Sequence, residues 1–271
     1  MRGPPTPAAA PDDLPSDDVR DYLAEVVRRL SHTLNDRFVS AYVTGSLALG
    51  GFIPDQSDID VIAVSSDSLK IDDKHAVVAA LHQDALACPA RGLELVVYSR
   101  SAAATASRAS CFEINLNTGP RMPFHVSFDC ASEPAHWFLL DIAIVRRHGR
   151  VLAGPPPDGV FASIAREWLL NALYESLDWH AEHERITHYS VLNACRALRF
   201  ALDDVWSTKE QAAEWARTRV DDAALVEQSL AIRRGETTQL PERERARTFV
   251  LGVRETIVLS QLSVPQRRHE S

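Results

Sequence analysis

Two aspartates, Asp58 and Asp60, stand one residue apart at the start of an apolar run that continues to Val64. Side chains of a strand alternate, so both carboxylates project from one face while Ile59 and Val61 project from the other. Upstream lies an apolar segment, Ala41-Tyr-Val-Thr44, followed by Gly45-Ser46. A glycine there lets the backbone turn sharply and approach a phosphate closely. Ser46 offers that phosphate a hydroxyl and an amide N–H. Two hard carboxylates beside such a turn suit Mg2+ carrying nucleotide phosphates. The cation would neutralise charge on a leaving pyrophosphate. Taken alone, Asp-x-Asp is better explained by a solvated strand end with Ser57-Asp58 as turn chemistry. It is the upstream Gly45-Ser46 that tips the pattern towards metal. Gly50 and Gly51 read as loop-shaping residues.

A third carboxylate, Glu94, is the only charged residue in Leu93-Glu-Leu-Val-Val-Tyr98. That run is rich in strand formers. Periodicity alone makes it an edge-strand glutamate facing water. If its strand neighbours the aspartates, it becomes a general base for a substrate hydroxyl and a further metal ligand. Opposite charge beside it would keep it ionised.

The elements that must position these groups follow in order. Residues 1–15, rich in proline and alanine, read as a flexible tail without the unbroken apolar core of a signal peptide. Ser16 can cap a helix carrying Val19, Tyr22, Leu23, Val26, Val27 and Leu30 at helical spacing. Strands are expected at 37–44, 60–64 and 93–98, and shorter ones at 112–117 and 124–128 joined by a Gly119-Pro120 turn. Helices are expected at 72–87, stopped by Pro89, at 101–110, and at 136–145, ending at His148-Gly149. Residues 151–157 read as a connector between domains. Helical periodicity then runs to Leu262, with breaks near 183–187, 206–208, 220–222 and 235–241, giving a bundle of four or five helices. The fold class is therefore α+β, an α/β domain with a mixed sheet over 16–153, followed by an all-α domain over 154–271. Ligands often bind in the cleft between two such domains.

The chain has 271 residues, 45% of them hydrophobic, and a net charge of -8. That charge disfavours nucleic acid as a partner and is compatible with a cationic small substrate. No apolar run approaches the roughly 18 residues of a membrane span. Cys88, Cys111, Cys130 and Cys195 have no zinc-like spacing and read as free thiols of a cytoplasmic protein. His125, His136, His148, His183 and His188 likewise read as structural or surface residues. A monomer is expected.

The block from Gly45-Ser46 through Gly50-Gly51 to Ser57-Asp58-Ile59-Asp60 resembles the nucleotidyltransferase superfamily. Its closest resemblance is to the adenylyltransferases that modify streptomycin and spectinomycin. Leu139-Leu-Asp-Ile-Ala143 with His148-Gly149 and Leu152-Ala-Gly-Pro155 resembles the segment joining that family's two domains. Val191-Leu-Asn-Ala-Cys-Arg196 and Ser207-Thr-Lys-Glu-Gln-Ala-Ala-Glu-Trp-Ala216 resemble its ATP-facing helices. The resemblance implies transfer of AMP from ATP to a hydroxyl of an aminoglycoside. It implies catalysis and metal binding by Asp58, Asp60 and Glu94, and ATP binding by Gly45, Ser46, Arg196 and Lys209. Arginine suits bidentate contact with phosphate, lysine a point charge. In Asp178-Trp-His-Ala-Glu-His-Glu184, a cationic acceptor could stack on Trp179 and pair with Glu182 or Glu184. A helix end with a packed tryptophan explains that stretch equally well. Ile186-Thr-His-Tyr189 and Asn117–Phe124 depart from the streptomycin-modifying pattern. Another acceptor, or a non-catalytic nucleotide-binding module, stays open on sequence.

Overall fold

A computed structural model describes residues 16–109, 111–182 and 186–262. The chain divides into two compact units between Ile164 and Ala165. The expected tail, Ser110, and His183 and Glu184 lie outside the described residues.

The first unit opens with helix α1, Asp17–Leu34, capped by the Ser16 hydroxyl, which accepts from the Val19 N–H. Its apolar stripe, Val19, Tyr22, Leu23, Val26, Val27 and Leu30, is buried as the spacing requires. Strand β1, Phe38–Val43, leads into the short helix α2, Gly45–Leu49, and then β2, Ile59–Ser65. Helix α3, Ile71–Leu81, connects β2 to β3, Leu93–Ser99. One helical turn, α4 (Arg100–Ala103), precedes β4, Ile114–Thr118, and β5, His125–Ser127. Helix α5, Ala135–His148, and strand β6, Arg150–Ala153, complete the set.

Among the described residues the strands form one sheet in the order β5-β4-β3-β2-β1-β6. Only β2 and β3 run parallel, the pair that a helical crossover joins. The sheet is therefore mixed, and the α+β reading holds. Alternation sorts its side chains. Ala41, Val43, Ile59, Val61, Leu93 and Leu95 belong to a core shared with α1 and α3. Tyr42, Ile62, Val64, Val96 and Tyr98 belong to a second core with Phe138, Ile142 and Val145 of α5.

Three local expectations need correction. Helix α3 stops at Leu81, well before Pro89, because His82 is extended. The chain beyond it finds other partners. The Gln83 N–H bonds the Thr118 hydroxyl at 2.9 Å, and the Gln83 side chain accepts from the Cys88 N–H at 3.0 Å. The helix expected at 101–110 is the single turn α4. The expected connector contains β6, whose pairing with β1 closes one sheet edge.

The second unit is helical: α6 Arg166–Glu182, α7 His188–Asp203, α8 Lys209–Ala216, α9 Ala223–Arg233 and α10 Arg243–Leu262. The breaks fall where the periodicity lapsed. Capping boxes built on Thr187 and Thr208 start α7 and α8. Val191, Leu192 and Cys195 of α7 pack with Ala212, Ala216, Leu225 and Val226. All four cysteines are free thiols. Burial pushes that of Cys195 up to about 12. No described helix is long and apolar enough to cross a membrane.

Candidate active site

The site begins where β1 ends. The Thr44 N–H bonds the Asp60 carbonyl at 3.0 Å, which ties the turn to the start of β2. Gly45 follows with φ +56°. A Cβ at Gly45 would lie 2.0 Å from Asp60 Oδ2 and 2.5 Å from its Cγ. The turn backbone thus lies against the aspartate carboxylate, an approach that only glycine permits. The next hydroxyl, Ser46 Oγ, is buried without a hydrogen-bond partner, as is Thr44 Oγ1. Buried hydroxyls without partners are uncommon in native proteins and ask for a ligand or water. Gly50, at φ +78°, ends α2, and the Gly51 N–H bonds the Ser46 carbonyl at 2.9 Å. These two glycines shape the loop, as their positions suggested.

The sheet register supplies the rest. Asp60 pairs with Glu94, Glu94 with Asn117, and Asn117 with His125. Residues paired in a ladder project to the same face, about 4.8 Å from strand to strand. Asp60 and Glu94 therefore stand side by side at the openings of the two parallel strands. Strand β3 is interior to the sheet, so the edge-strand reading of Glu94 is set aside. The Glu94 carboxyl is held well above the usual range by burial, then by the charges of Asp60, Asp58 and Asp141; Arg91 opposes this. Asp141 comes from α5, the helix that covers this face.

Asp58, just ahead of β2, is gripped by Arg91. The guanidinium donates Nε to Oδ1 at 2.8 Å and Nη2 to Oδ2 at 2.6 Å. Among the described residues, no three His, Cys, Asp or Glu side chains are gathered as a metal cage. The donor set nonetheless fits a hard divalent cation. Asp58, Asp60 and Glu94 supply oxygens only, and their mutual repulsion is the kind that a cation relieves.

In the helical unit, Arg196 and Lys209 are both placed at the α7–α8 turn. Arg196 Nε donates to the Ser207 carbonyl at 3.0 Å. Lys209, the first residue of α8, holds its Nζ 4.9 Å from the centre of the Tyr189 ring. His188 is buried nearby and kept below its usual pKa by burial, then by the charges of Lys209 and Arg233. The turn is thus a basic locus. Trp179 is half-buried near the end of α6 beside His180, and Glu182 is exposed. Glu184 lies outside the described residues.

Sequence reasoning missed three of these groups. Arg91 sits in a short loop, where no periodicity marks it. Asp141 did leave a signal, as the one acid within Phe138–Val145. His188 gave none beyond its place at the start of α7.

Residues 23–98 match a family model described as a nucleotidyltransferase domain. Residues 159–254 match one described as the C-terminal domain of aminoglycoside adenylyltransferase. The two matches together support the aminoglycoside adenylyltransferase family. It is similar in fold to a solved structure of spectinomycin adenyltransferase AAD(9) from Enterococcus faecialis with ATP and spectinomycin. The TM-score is 0.67 at 13% identity, over 88% of this chain and 98% of that one. No curated protein sequence matches the chain. The family's two-part plan, nucleotidyltransferase domain then helical domain, is the plan found here.

Proposed function

We propose that this adenylyltransferase moves AMP from ATP to a hydroxyl of an aminoglycoside or aminocyclitol antibiotic, of the streptomycin or spectinomycin class. It would thereby confer resistance from the cytoplasm. The observation that carries this reading is the pairing of Glu94 with Asp60, beside Asp58 and the Gly45-Ser46 turn. The relative solved with ATP and spectinomycin supports the choice of substrates.

In this reading Asp58, Asp60 and Glu94 hold Mg2+. The cation supplies charge neutralisation at the triphosphate as pyrophosphate departs. Gly45 lets the backbone lie close to a phosphate, and Ser46 donates its otherwise unpaired hydroxyl. Lys209 and Arg196 of the helical unit give further positive charge to the phosphates. Burial, then the charges of Asp60, Asp58 and Asp141, favour the protonated form of Glu94. Once positive charge offsets them, Glu94 is an ionised base able to take the acceptor's hydroxyl proton. The freed oxygen attacks the α-phosphorus in line. An O–P bond forms to the acceptor and the bond to pyrophosphate breaks. Trp179, Glu182 and Glu184 are the proposed contacts for a cationic acceptor.

Mass spectrometry tests this directly. The protein, ATP and Mg2+ are incubated with streptomycin, spectinomycin, kanamycin and a lincosamide. A product heavier by one AMP is expected from the first two. Glu94→Gln should abolish it while raising Tm in EDTA by about 2 °C or more, because a buried carboxyl that must take up a proton to be neutral is replaced by a neutral amide. Failure of every hydroxylated acceptor to gain AMP would end the proposal.

A further inference from the structure

We infer that Arg91 is a resident counter-ion of the acidic site: it holds Asp58 while no divalent cation is bound and releases it when one binds. The inference rests on the reading of Asp58, Asp60 and Glu94 as the metal-binding set. Both oxygens of Asp58 accept from Arg91, at 2.8 and 2.6 Å. Each oxygen keeps a second lone pair, but a cation entering at Asp58 meets a carboxylate whose charge the guanidinium already neutralises. The two are therefore competitors for one carboxylate.

The surroundings fit an exchange rather than a fixed strut. The Arg91 side chain is 39% exposed and that of Asp58 16%. An ion pair this close to water adds little net stability, so giving it up costs little. The backbone, by contrast, is clamped. The Arg91 N–H bonds the Ser57 carbonyl at 3.2 Å, and the Arg91 carbonyl accepts from the Arg121 N–H at 3.1 Å. The Gly92 carbonyl accepts from the Ile59 N–H at 2.8 Å. Gly92 is itself wedged, since a Cβ there would lie 2.4 Å from Met122 Sδ. Exchange is then a rotation of one side chain, with the loop standing still.

The test measures metal binding by the full chain without nucleotide. Mn2+ titrations read by electron paramagnetic resonance would compare the wild type, Arg91→Gln, and Arg91→Gln combined with Asp58→Asn. Arg91→Gln should bind Mn2+ about tenfold more tightly than the wild type, and adding Asp58→Asn should remove the gain. Equal or weaker binding by Arg91→Gln would overturn the inference. A second measurement needs no variant that must fold. In the wild type, the Arg91 Nε–H resonance should leave its carboxylate-bonded position when Mg2+ and a non-hydrolysable ATP analogue are added. A resonance that stays put would also overturn it. Adduct formation from an antibiotic is read separately. Unchanged Mn2+ affinity beside a good AMP transfer would defeat the exchange alone.

Discussion

At the residue scale, two glycines in one loop separate chemistry from conformation. Gly45 and Gly50 both have positive φ, at +56° and +78°. A Cβ at Gly50 would meet nothing within 4 Å. One at Gly45 would overlap the Asp60 carboxylate. Alanine at either position pays the left-handed penalty of about 1–2 kcal/mol, but only at Gly45 must a site carboxylate also move. Gly45→Ala should lower kcat/KM by about 100-fold or more, since small misplacements of reacting groups cost that much. Gly50→Ala should leave kcat/KM within about threefold of the wild type while losing similar stability. Steady-state kinetics and urea melts on both variants check the contrast. A match in kcat/KM between the two would remove Gly45 from the site. This difference was half legible in sequence. Gly45, Asp58 and Asp60 announce themselves by type and spacing. That Gly45 touches Asp60, and that Arg91 grips Asp58, depends on which backbones lie side by side, and local pattern does not carry that.

At the scale of elements, α8 and α9 are joined by an ion pair whose guanidinium is buried and whose carboxylate is partly exposed. Arg233 is 2% exposed and donates Nε to Glu210 Oε1 at 2.5 Å. A buried guanidinium that loses a carboxylate partner is left partly uncompensated, which is costly, whereas the intact pair adds little net stability. Glu210→Ala should therefore destabilise the protein by about 3 kcal/mol. Arg233→Met combined with Glu210→Ala should recover most of that loss. Chemical denaturation of the three proteins checks both values, and a double variant no better than the single one would contradict the account. These helices were visible in the sequence because a 3.6-residue period persists over many residues and Thr187 and Thr208 mark two starts. Strand β6 was not. Its four residues lie between Gly149 and Gly154, too short for alternation to show, and they become a strand only because β1 offers an open edge. The end of α3 was misplaced for a similar reason. The Thr118 hydroxyl that receives the Gln83 N–H comes from a distant strand.

At the scale of the whole molecule, the net charge of -8 bears with opposite sign on the two substrates proposed for the protein. A cationic acceptor is drawn to a negative protein, and ATP is repelled by it, at distances where the Debye length governs. The carboxylates at the openings of β2 and β3 sharpen the negative field there. Salt should weaken the first attraction and the first repulsion together. Raising ionic strength from about 50 to 300 mM, with inert monovalent salt, should raise KM for the cationic acceptor by roughly threefold. KM for ATP should stay level or fall, and kcat should change little. The opposite trends matter more than either size. General inhibition by salt, or loss of folded protein, would move both constants the same way. Parallel steady-state series with each substrate varied at saturation of the other give the answer. A KM for the acceptor that ignores salt would mean that it is held by stacking and neutral hydrogen bonds. Under the proposed function, Trp179 would then outweigh Glu182 and Glu184 as the acceptor's contact.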